Sequence, residues 1–234
     1  MKLSIIIPVY NEEATIAKLI DKVGAINLPK SVRKEIIVVD DASIDSSSEK
    51  ASKVKGIKLK RHKKNLGKGA AVKTGIEAST GEIIIIQDAD LEYDPNDIPR
   101  LVKPIIDGKA KVVYGSRLKN YPLKLFGKNK TPLITHFIGN KFLTFITNML
   151  YGDDVTDMET CYKVFKKEVL DEIEINSKGF EFEPEITAKI LKKGYEIYEV
   201  SIKVKPRGYD EGKKITWKDG FAAVWTLLKY RFVD

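Results

Sequence analysis

The sequence has one cysteine, Cys161, so no disulfide can form within the chain. The lack of a disulfide framework fits a reducing compartment, and we expect Cys161 to be a buried, unreactive thiol. No apolar run approaches the roughly 20 residues that a helix needs to cross a bilayer, and strand-like residues follow Met1 where a signal peptide would lie. These absences predict a soluble or peripheral protein.

Acidic residues are missing from two long stretches of the chain. Ten Lys or Arg but no acid lie between Glu49 and Glu77, and eight Lys or Arg but no acid lie between Asp107 and Asp153. Such stretches favour an anionic partner, which could be a nucleotide, a nucleic acid or a membrane surface, although a solvated face explains the first stretch equally well. The 234 residues are otherwise typical of one globular domain.

A strongly apolar segment leads directly into two carboxylates. The four isoleucines of residues 83–86 predict a strand buried on both faces, as in a parallel sheet, and Asp88 and Asp90 follow it. Ligands of doubly wound α/β proteins bind beyond the carboxyl ends of the strands. Two carboxylates there favour a divalent cation that takes its other ligands from water and phosphate. For an isolated DxD pattern, an acidic turn is an equally good explanation.

Three further predicted strands end in polar residues. Residues 2–10 lead to Asn11, which we expect to cap a helix; residues 34–41 end in two acids, and residues 111–117 end in an arginine. A carboxylate at the end of the second strand is suited to accept hydrogen bonds from a ribose or a base. Four polar strand ends on one sheet edge indicate a site for a phosphorylated ligand with its metal.

A glycine-rich segment, residues 65–71, follows another predicted strand at residues 57–61. Its glycines permit a tight turn, and the next helix is expected to offer free backbone N–H groups to an anion. The spacing matches neither the Walker motif nor GxGxxG. A simple junction between loop and helix is the alternative.

Taken in order, these motifs resemble those of family 2 glycosyltransferases with the GT-A nucleotide-sugar fold, and most of all the dolichyl-phosphate or polyprenyl-phosphate mannose and glucose synthases. The matching stretches are SIIIPVYNEE, IIVVDDAS, NLGKGAAVKTG, IIIIQDADLEYDP, VYGSR, DMETCYKVF, FEFEPEITAKILKKGY and EVSIKVKPRGYDEGKK. The resemblance implies an α/β fold in a single domain, residues 1–234, with a mixed, mainly parallel sheet flanked by helices. It assigns nucleotide-sugar binding to residues 1–117 and acceptor binding, with amphipathic helices, to residues 118–234.

The resemblance also implies roles for individual residues. Asp88 and Asp90 correspond to ligands of Mg²⁺ or Mn²⁺, with Glu92 as a third candidate ligand. The candidate catalytic residues are Asp88, Asp90, Arg117, which corresponds to a phosphate-contacting residue, and Asp157. The residues implied in binding the nucleotide sugar are Pro8, Tyr10, Glu12, Asp40, Asp41, Lys68, Asp88, Ala89, Asp90, Arg207 and Lys213.

The implied reaction is metal-dependent, inverting transfer of a hexose from a nucleotide sugar to dolichyl or polyprenyl phosphate. The donor favoured is GDP-mannose, with UDP-glucose or another UDP-sugar as the alternative. A phosphate monoester, with a second pKa of about 6, is already largely ionised at neutral pH and needs no strong base. Transfer to a hydroxyl of a glycolipid or polysaccharide is the other alternative, and it would depend more on Asp157 or Glu159 as base. The same two residues are also candidates for positioning the sugar.

The acceptor region departs from the relatives in one respect. They often carry an arginine pair before the amphipathic helix, whereas this chain has Lys124, Lys128, Lys130, Thr131 and His136. For His136, as for His62, a structural or solvated role is the better interpretation.

Two apolar segments, residues 133–151 and 217–232, bear on location. We interpret them either as core helices or as surfaces that lie on the cytoplasmic face of the membrane, and the second also as a contact for a membrane-protein partner. Nucleic acid is not an expected partner, because the strand-end carboxylates would repel it. A nucleotidyltransferase is disfavoured because PVYNEE replaces the glycine-rich loop expected after its first strand.

Overall fold

The computed structural model describes residues 1–119, 134–205 and 217–233. The strands are β1 (Lys2–Val9), β2 (Arg33–Asp40), β3 (Ile57–Arg61), β4 (Ile83–Ile86), β5 (Val112–Ser116), β6 (Lys163–Lys166) and β7 (Ile197–Ser201). The helices are α1 (Ile16–Ala25), α2 (Ser47–Ser52), α3 (Lys68–Ala78), α4 (Ile98–Ile106), α5 (Ile134–Tyr151), α6 (Lys167–Asp171), α7 (Phe182–Lys192) and α8 (Trp217–Phe232).

Within these residues, seven strands form one sheet in the order β3-β2-β1-β4-β6-β5-β7. The pairs β2–β3, β1–β2 and β1–β4 are parallel, and so is the pair β5–β7. Strand β6 is antiparallel to both of its neighbours, β4 and β5. The sheet is therefore mixed and mainly parallel, which confirms the fold predicted from the sequence.

The central strands β1 and β4 are apolar on both faces because helices cover both sides of the sheet. Ile5 and Ile83 belong to a core cluster with residues of α1 and α4. Ile6 and Ile84, one position further along each strand, belong to a second cluster with residues of α3, α6 and α7. Alternate side chains of a strand point to opposite faces, so an all-isoleucine strand satisfies both clusters.

The helices of the second half pack into a smaller cluster. It joins Leu143 of α5, Ala188 of α7, and Ala223 and Leu227 of α8. Away from this cluster, α5 and α8 each expose a row of large apolar side chains at intervals of three or four residues, and we call these rows the apolar stripes. They consist of Ile138, Phe142, Phe145 and Met149 on α5 and of Phe221, Trp225, Leu228 and Phe232 on α8.

None of the helices in the described ranges combines the length and the apolarity that are needed to cross a bilayer. The 3₁₀ turn Pro95–Asp97 leads into α4, and the side chain of Asp94 caps this turn by accepting from the N–H of Asn96.

The predicted helix cap at Asn11 is wrong, because α1 begins at Ile16. Asn11 has a φ of 53° and is tied to the loop after β2. Its N–H donates to the hydroxyl of Ser43 at 3.0 Å, and its side-chain oxygen accepts from the N–H of Ile44 at 3.0 Å. These partners lie more than 30 residues further along the chain, so the local pattern could not indicate them.

Candidate active site

Four strand ends share one edge of the sheet, as predicted. Because β1, β2, β4 and β5 all run in the same direction, their carboxyl ends lie together, and they are followed there by Tyr10, Asp41, Asp88 and Arg117. The reversed strand β6 starts at this edge, so the segment 157–162 before it arrives at the same place. Sequence segments far apart in the chain therefore form one site.

Backbone strain is concentrated at this edge. In the described ranges, three non-glycine residues have positive φ: Asn11 at 53°, Ala42 at 60° and Leu91 at 63°. They follow β1, β2 and β4 respectively. Such conformations cost about 1–3 kcal/mol each and cluster at ligand sites, where the surrounding contacts hold them. The strain marks the same edge that the strand ends define.

Lys68 connects the glycine-rich segment to two carboxylates of the site. Its Nζ lies 2.9 Å from Asp88 Oδ1 and 2.7 Å from Glu183 Oε1, and it donates to Cys161 Sγ at 3.4 Å. Although burial alone would lower it, the charges of Asp88 and Glu183 raise the pKa of Lys68 well above its usual value. Although burial alone would raise it, the Lys68 ammonium lowers the pKa of Asp88. The cluster is thus held in its charged form.

Cys161 is half-buried at the centre of this cluster. Burial, and next the charge of Asp88, raises the pKa of its thiol well above the usual value. A thiol that holds its proton is a poor nucleophile, in agreement with the prediction of an unreactive cysteine.

The carboxylates after β4 have the donor chemistry of a magnesium or manganese site. Asp88 and Asp90 supply hard oxygen ligands at the sheet edge, and the described residues contain no group of three His, Cys, Asp or Glu that could hold a metal by itself. Mg²⁺ is commonly bound by one or two carboxylates together with substrate phosphates and water. The two aspartates fit that pattern. The ammonium of Lys68 supplies a positive charge beside Asp88.

Glu92 does not form a group of three metal-holding side chains with the two aspartates in the described residues, and its role as a third ligand stays a prediction. Its backbone N–H donates to Asp90 Oδ1 at 3.0 Å, and its carbonyl accepts from the N–H of Lys205 at 2.9 Å. Tyr93 forms a β-bridge with Val204. The role of Glu92 that the structure shows is to anchor the loop after β4 to residues 204–205.

Arg117 and Asp157 form a buried ion pair at the end of β5. Arg117 donates from Nε to Asp157 Oδ2 and from Nη2 to Asp157 Oδ1, both at 2.8 Å, and its backbone N–H also donates to Oδ2 at 2.8 Å. The side chain of Asp157 is 0% exposed, whereas that of Arg117 is 20% exposed. Because both of its oxygens are turned to Arg117, Asp157 is badly placed to act as the general base suggested by the sequence. In this geometry Asp157 holds Arg117 in place, and its predicted catalytic role stays a prediction.

The two acids after β2 bond mainly to neighbouring loops. Asp41 accepts from the N–H groups of Leu66 and Gly67 at 2.9 and 2.7 Å and contacts His62 Nδ1 at 2.7 Å. Asp40 accepts from the N–H of Ser43 and lies 3.0 Å from Nε of Arg61. Asp41 thereby fixes the start of the glycine-rich segment, and its predicted contact with ribose stays a prediction. His62 also contacts the hydroxyl of Thr74 at 2.9 Å, which confirms its structural role.

The predicted anion site at the start of α3 is wrong, because its N–H groups are already used. Gly69 and Ala70 donate to the carbonyls of Gly179 and Lys178 at 3.2 and 3.1 Å. A Cβ added to Gly67 would collide with the carbonyl of Lys178, and one added to Gly69 would collide with that of Ser177. The glycines are needed for this close approach of two backbone segments, which places Lys68 beside Asp88.

The other predicted nucleotide-binding residues lie on or near the same edge. Pro8 belongs to β1, and Tyr10 follows it with a half-buried side chain. Glu12 is buried; it accepts from the hydroxyl of Thr15 at 2.9 Å. Ala89 is buried between the two aspartates. Their contacts with a nucleotide stay predictions.

Several predicted residues lie outside the described part of the chain. They are Arg207, Lys213 and Lys214 of the C-terminal motif, Lys124, Lys128, Lys130 and Thr131 before α5, and the side chain of His136.

Sequence reasoning missed Glu183 and Lys163, and it considered Glu159 as a base or as a residue that positions the sugar. Glu183 and Glu185 are buried although they lie in a charged segment, FEFEPE. Acids on the inner face of a helix need partners, so their helical spacing against the apolar residues was a usable signal. Lys163 carried no such signal, because a basic residue in a strand is commonly solvated.

The fold is that of the GT-A glycosyltransferases. A crystal structure of glucosyl-3-phosphoglycerate synthase from Mycobacterium tuberculosis, solved with Mn²⁺, uridine diphosphate and phosphoglyceric acid, matches with a TM-score of 0.74 and 22% identity, over 100% of this chain and 79% of that one. The model of glycosyl transferase family 2 matches residues 4–174, and the chain belongs to this family. It is therefore a glycosyltransferase.

Two curated relatives carry names that specify an acceptor. One is a dolichol-phosphate mannosyltransferase of Pyrococcus furiosus, 30% identical over 98% of this chain and 64% of its own length. The other is an undecaprenyl-phosphate 4-deoxy-4-formamido-L-arabinose transferase of Aeromonas hydrophila, 33% identical over 72% of this chain and 50% of its own length. The chain thus spans between half and about two thirds of these relatives.

Proposed function

We propose that this protein transfers a hexose from a nucleotide sugar to a polyprenyl phosphate, with inversion at the anomeric carbon. The observation that carries the choice of acceptor is the contact between Arg117 and Asp157. It leaves a fixed, partly exposed guanidinium at the site and engages both carboxylate oxygens of Asp157, which disfavours Asp157 as a base. A guanidinium is a good partner for phosphate, and a phosphate acceptor is ionised at neutral pH without a base.

The donor side of the reaction rests on the carboxylates after β4. Asp88 and Asp90 would hold Mg²⁺ or Mn²⁺, which when bound stabilises the charge that develops on the leaving nucleoside diphosphate. Lys68 adds a buried positive charge next to Asp88. The name of the Pyrococcus furiosus relative supports mannose as the sugar and hence GDP-mannose as the donor. UDP-glucose or another UDP-sugar is the alternative.

The apolar stripes support a peripheral position on a membrane. In each stripe, large apolar residues spaced as on one face of a helix are exposed to solvent, by 39% to 81%. An amphipathic surface of this kind binds at the boundary between lipid headgroups and acyl chains. A polyprenyl phosphate lies in the same boundary, so attachment there would bring the site to its acceptor. We place this attachment on the cytoplasmic face of the membrane.

A second candidate function is transfer to a hydroxyl of a glycolipid or polysaccharide. This reaction needs a general base. Asp157 is bound to Arg117, but Glu159 lies at the same edge and is not paired with Arg117. Its carboxyl group is therefore a candidate general base, which favours this second function.

The proposal is tested with the purified protein, Mn²⁺ and vesicles that contain dolichyl phosphate. GDP-mannose and UDP-glucose, each labelled in the sugar, are supplied in separate reactions, and the label that enters the organic phase is counted. We expect transfer from GDP-mannose that stops when EDTA is added. Absence of lipid-linked label with every nucleotide sugar tried would reject the proposal.

A further inference from the structure

Glu159 contains a buried carboxylate oxygen that no described residue satisfies. Its Oε1 is shielded from solvent and has no hydrogen-bond partner among residues 1–119, 134–205 and 217–233. Buried polar atoms are nearly always hydrogen-bonded in native proteins, and an exception needs an explanation. The residue lies in the segment 157–162, which the reversed direction of β6 brings to the active edge.

The charged groups around Glu159 are committed elsewhere. Arg117 is directed at Asp157, and Glu183 of α7 is bound to Lys68 at 2.7 Å. The ammonium of Lys163, on β6, donates to the carbonyl of Met158 at 2.8 Å and to that of Thr160, and it lies 4.5 Å from the centre of the Tyr114 ring. None of these groups donates a hydrogen bond to Glu159 in the described structure, so Oε1 offers an accepting position that a bound ligand can fill.

The protonation of Glu159 agrees with this lack of a partner. Burial, and next the charge of Glu183, raises the pKa of Glu159 to about 7, against the opposing effects of Lys163 and Arg117. Asp157 adds a smaller repulsion. The carboxyl therefore carries a proton for much of the time near neutral pH and gains from any group that donates a hydrogen bond to it.

The position of Glu159 identifies the kind of ligand. The carboxyl of Glu159 is close enough to Glu183 and to Arg117 to be affected by both charges. Glu183 is bound to Lys68, which also pairs with Asp88 of the proposed donor site, whereas we assign Arg117 to the acceptor phosphate. In the proposed reaction the hexose lies between the two phosphates. The carboxyl groups of Glu159 and Glu183 would repel a phosphate group bound beside them. A sugar hydroxyl is neutral and can donate a hydrogen bond to Oε1.

We infer that Glu159 binds a hydroxyl of the transferred hexose through Oε1 and so helps to select the sugar. This inference rests on the proposed function, since it assumes a nucleotide sugar as donor. It makes Glu159 a specificity-determining residue of the donor site, distinct from the two aspartates and from Arg117.

The test compares binding of sugar nucleotides with binding of the nucleotide alone, by calorimetry in the presence of Mn²⁺. The probes are GDP-mannose with GDP, and UDP-glucose with UDP. We expect Glu159→Ala to weaken the tighter-binding sugar nucleotide by roughly three- to tenfold, as for loss of one buried hydrogen bond, and to leave binding of the nucleoside diphosphate unchanged. Glu196→Ala, at an exposed position, is the matched control and should change neither.

A panel of donors that each lack one sugar hydroxyl makes the test specific. We expect one of these donors to bind the wild-type protein about as weakly as the complete sugar nucleotide binds Glu159→Ala. Removal of the same hydroxyl should not weaken donor binding to the variant any further. Equal weakening of nucleotide and sugar nucleotide, or unchanged sugar-nucleotide binding with lost turnover, would overturn the inference. If Glu159→Ala does not fold, Glu159→Leu, which fills a similar volume and has no oxygen to accept a hydrogen bond, is measured in its place. The calorimetric test contains no lipid acceptor. Its outcome therefore does not depend on whether the protein transfers the sugar to a lipid, and failure of the proposed function is distinguishable from failure of this inference.

Discussion

The guanidinium of Arg117 is held by the carboxylate of Asp157 through two parallel hydrogen bonds of 2.8 Å each. Asp157 is fully buried, and it also accepts the backbone N–H of Arg117. The pair fixes the orientation of a cation at the mouth of the site. It also bears on the acceptor chemistry, because a carboxylate bound in this way is badly placed to deprotonate an alcohol.

Replacement of Asp157 by Asn tests this positioning role. Asn keeps the shape but leaves the largely buried guanidinium of Arg117 without a counter-charge, and breaking a buried pair in this way costs about 3–5 kcal/mol. We expect a lower free energy of unfolding in urea together with a strong loss of turnover. Asp154→Asn, at an exposed position three residues before it, is the control. A variant as stable and active as the wild type would show that the pair does not matter.

Asp90→Asn tests the metal proposal more cleanly than substitution of Asp88, because Asp88 is also the partner of Lys68. We expect turnover to fall by about 100-fold or more through lost stabilisation of the leaving group. Binding of Mn²⁺ in the presence of GDP, followed by the paramagnetic signal of the free ion, should weaken in parallel, with an unchanged melting temperature. Tight Mn²⁺ binding in the variant would contradict the assignment.

The strand ends could be predicted from the sequence because strand periodicity and buried isoleucines are local signals. Because the strands of a mainly parallel sheet run in the same direction, their carboxyl ends lie together at one edge. The conformation of Asn11 could not be predicted, since it depends on Ser43 and Ile44. The covered N–H groups of α3 were missed for the same reason, because residues 178–179 that cover them lie about a hundred positions further along the chain.

Asp157 shows the limit of motif reasoning in another way. The motif marked it as functionally placed, and the structure puts it at the site, but its role depends on where Arg117 points. Without the geometry of the Arg117–Asp157 pair, a motif does not show whether the acidic residue acts as a general base or holds its neighbour in place. Glu183 illustrates the same point, since its partner Lys68 belongs to a distant helix.

Gly69→Ala is expected to destabilise the protein because its Cβ would meet the carbonyl of Ser177. Forcing an extra methyl group into a close backbone contact costs about 1–3 kcal/mol. Gly24→Ala is the matched control, a helical glycine with open space around its Cβ, and it should be neutral or stabilise by about 0.5–1 kcal/mol. Both free energies come from urea unfolding. Similar effects of the two substitutions would contradict the close approach of residues 177–179.

The raised pKa of Glu159 predicts a pH dependence of stability. Between its usual value of 4.5 and the folded value of about 7, the unfolded chain loses a proton that the folded protein keeps. Stability therefore falls as pH rises through this interval, by roughly 1–3 kcal/mol from this group alone. Glu159→Gln should remove the loss, so that the variant gains stability relative to the wild type from pH 4.5 to 8. A pH-independent difference between the two would contradict the prediction.

The apolar stripes predict binding to lipid vesicles. Phe145→Ser and Trp225→Ser each remove a large exposed side chain, and burial of such a side chain is worth about 1.5–3 kcal/mol, so partitioning should fall about tenfold or more for each. Tyr198→Ser, an exposed aromatic on the edge strand β7, is the control. Sedimentation with phosphatidylglycerol vesicles measures the effect. Equal partitioning of all four proteins would remove the stripes as a membrane contact.

The choice between an ionised and an alcoholic acceptor tests the account most directly. The protein is given labelled GDP-mannose, Mn²⁺ and vesicles that contain either dolichyl phosphate or dolichol, which differ only in the phosphate group. With Asp157 bound to Arg117, we predict that label enters the lipid in the dolichyl phosphate vesicles and not in the dolichol vesicles. Transfer to dolichol at a comparable rate would contradict the account.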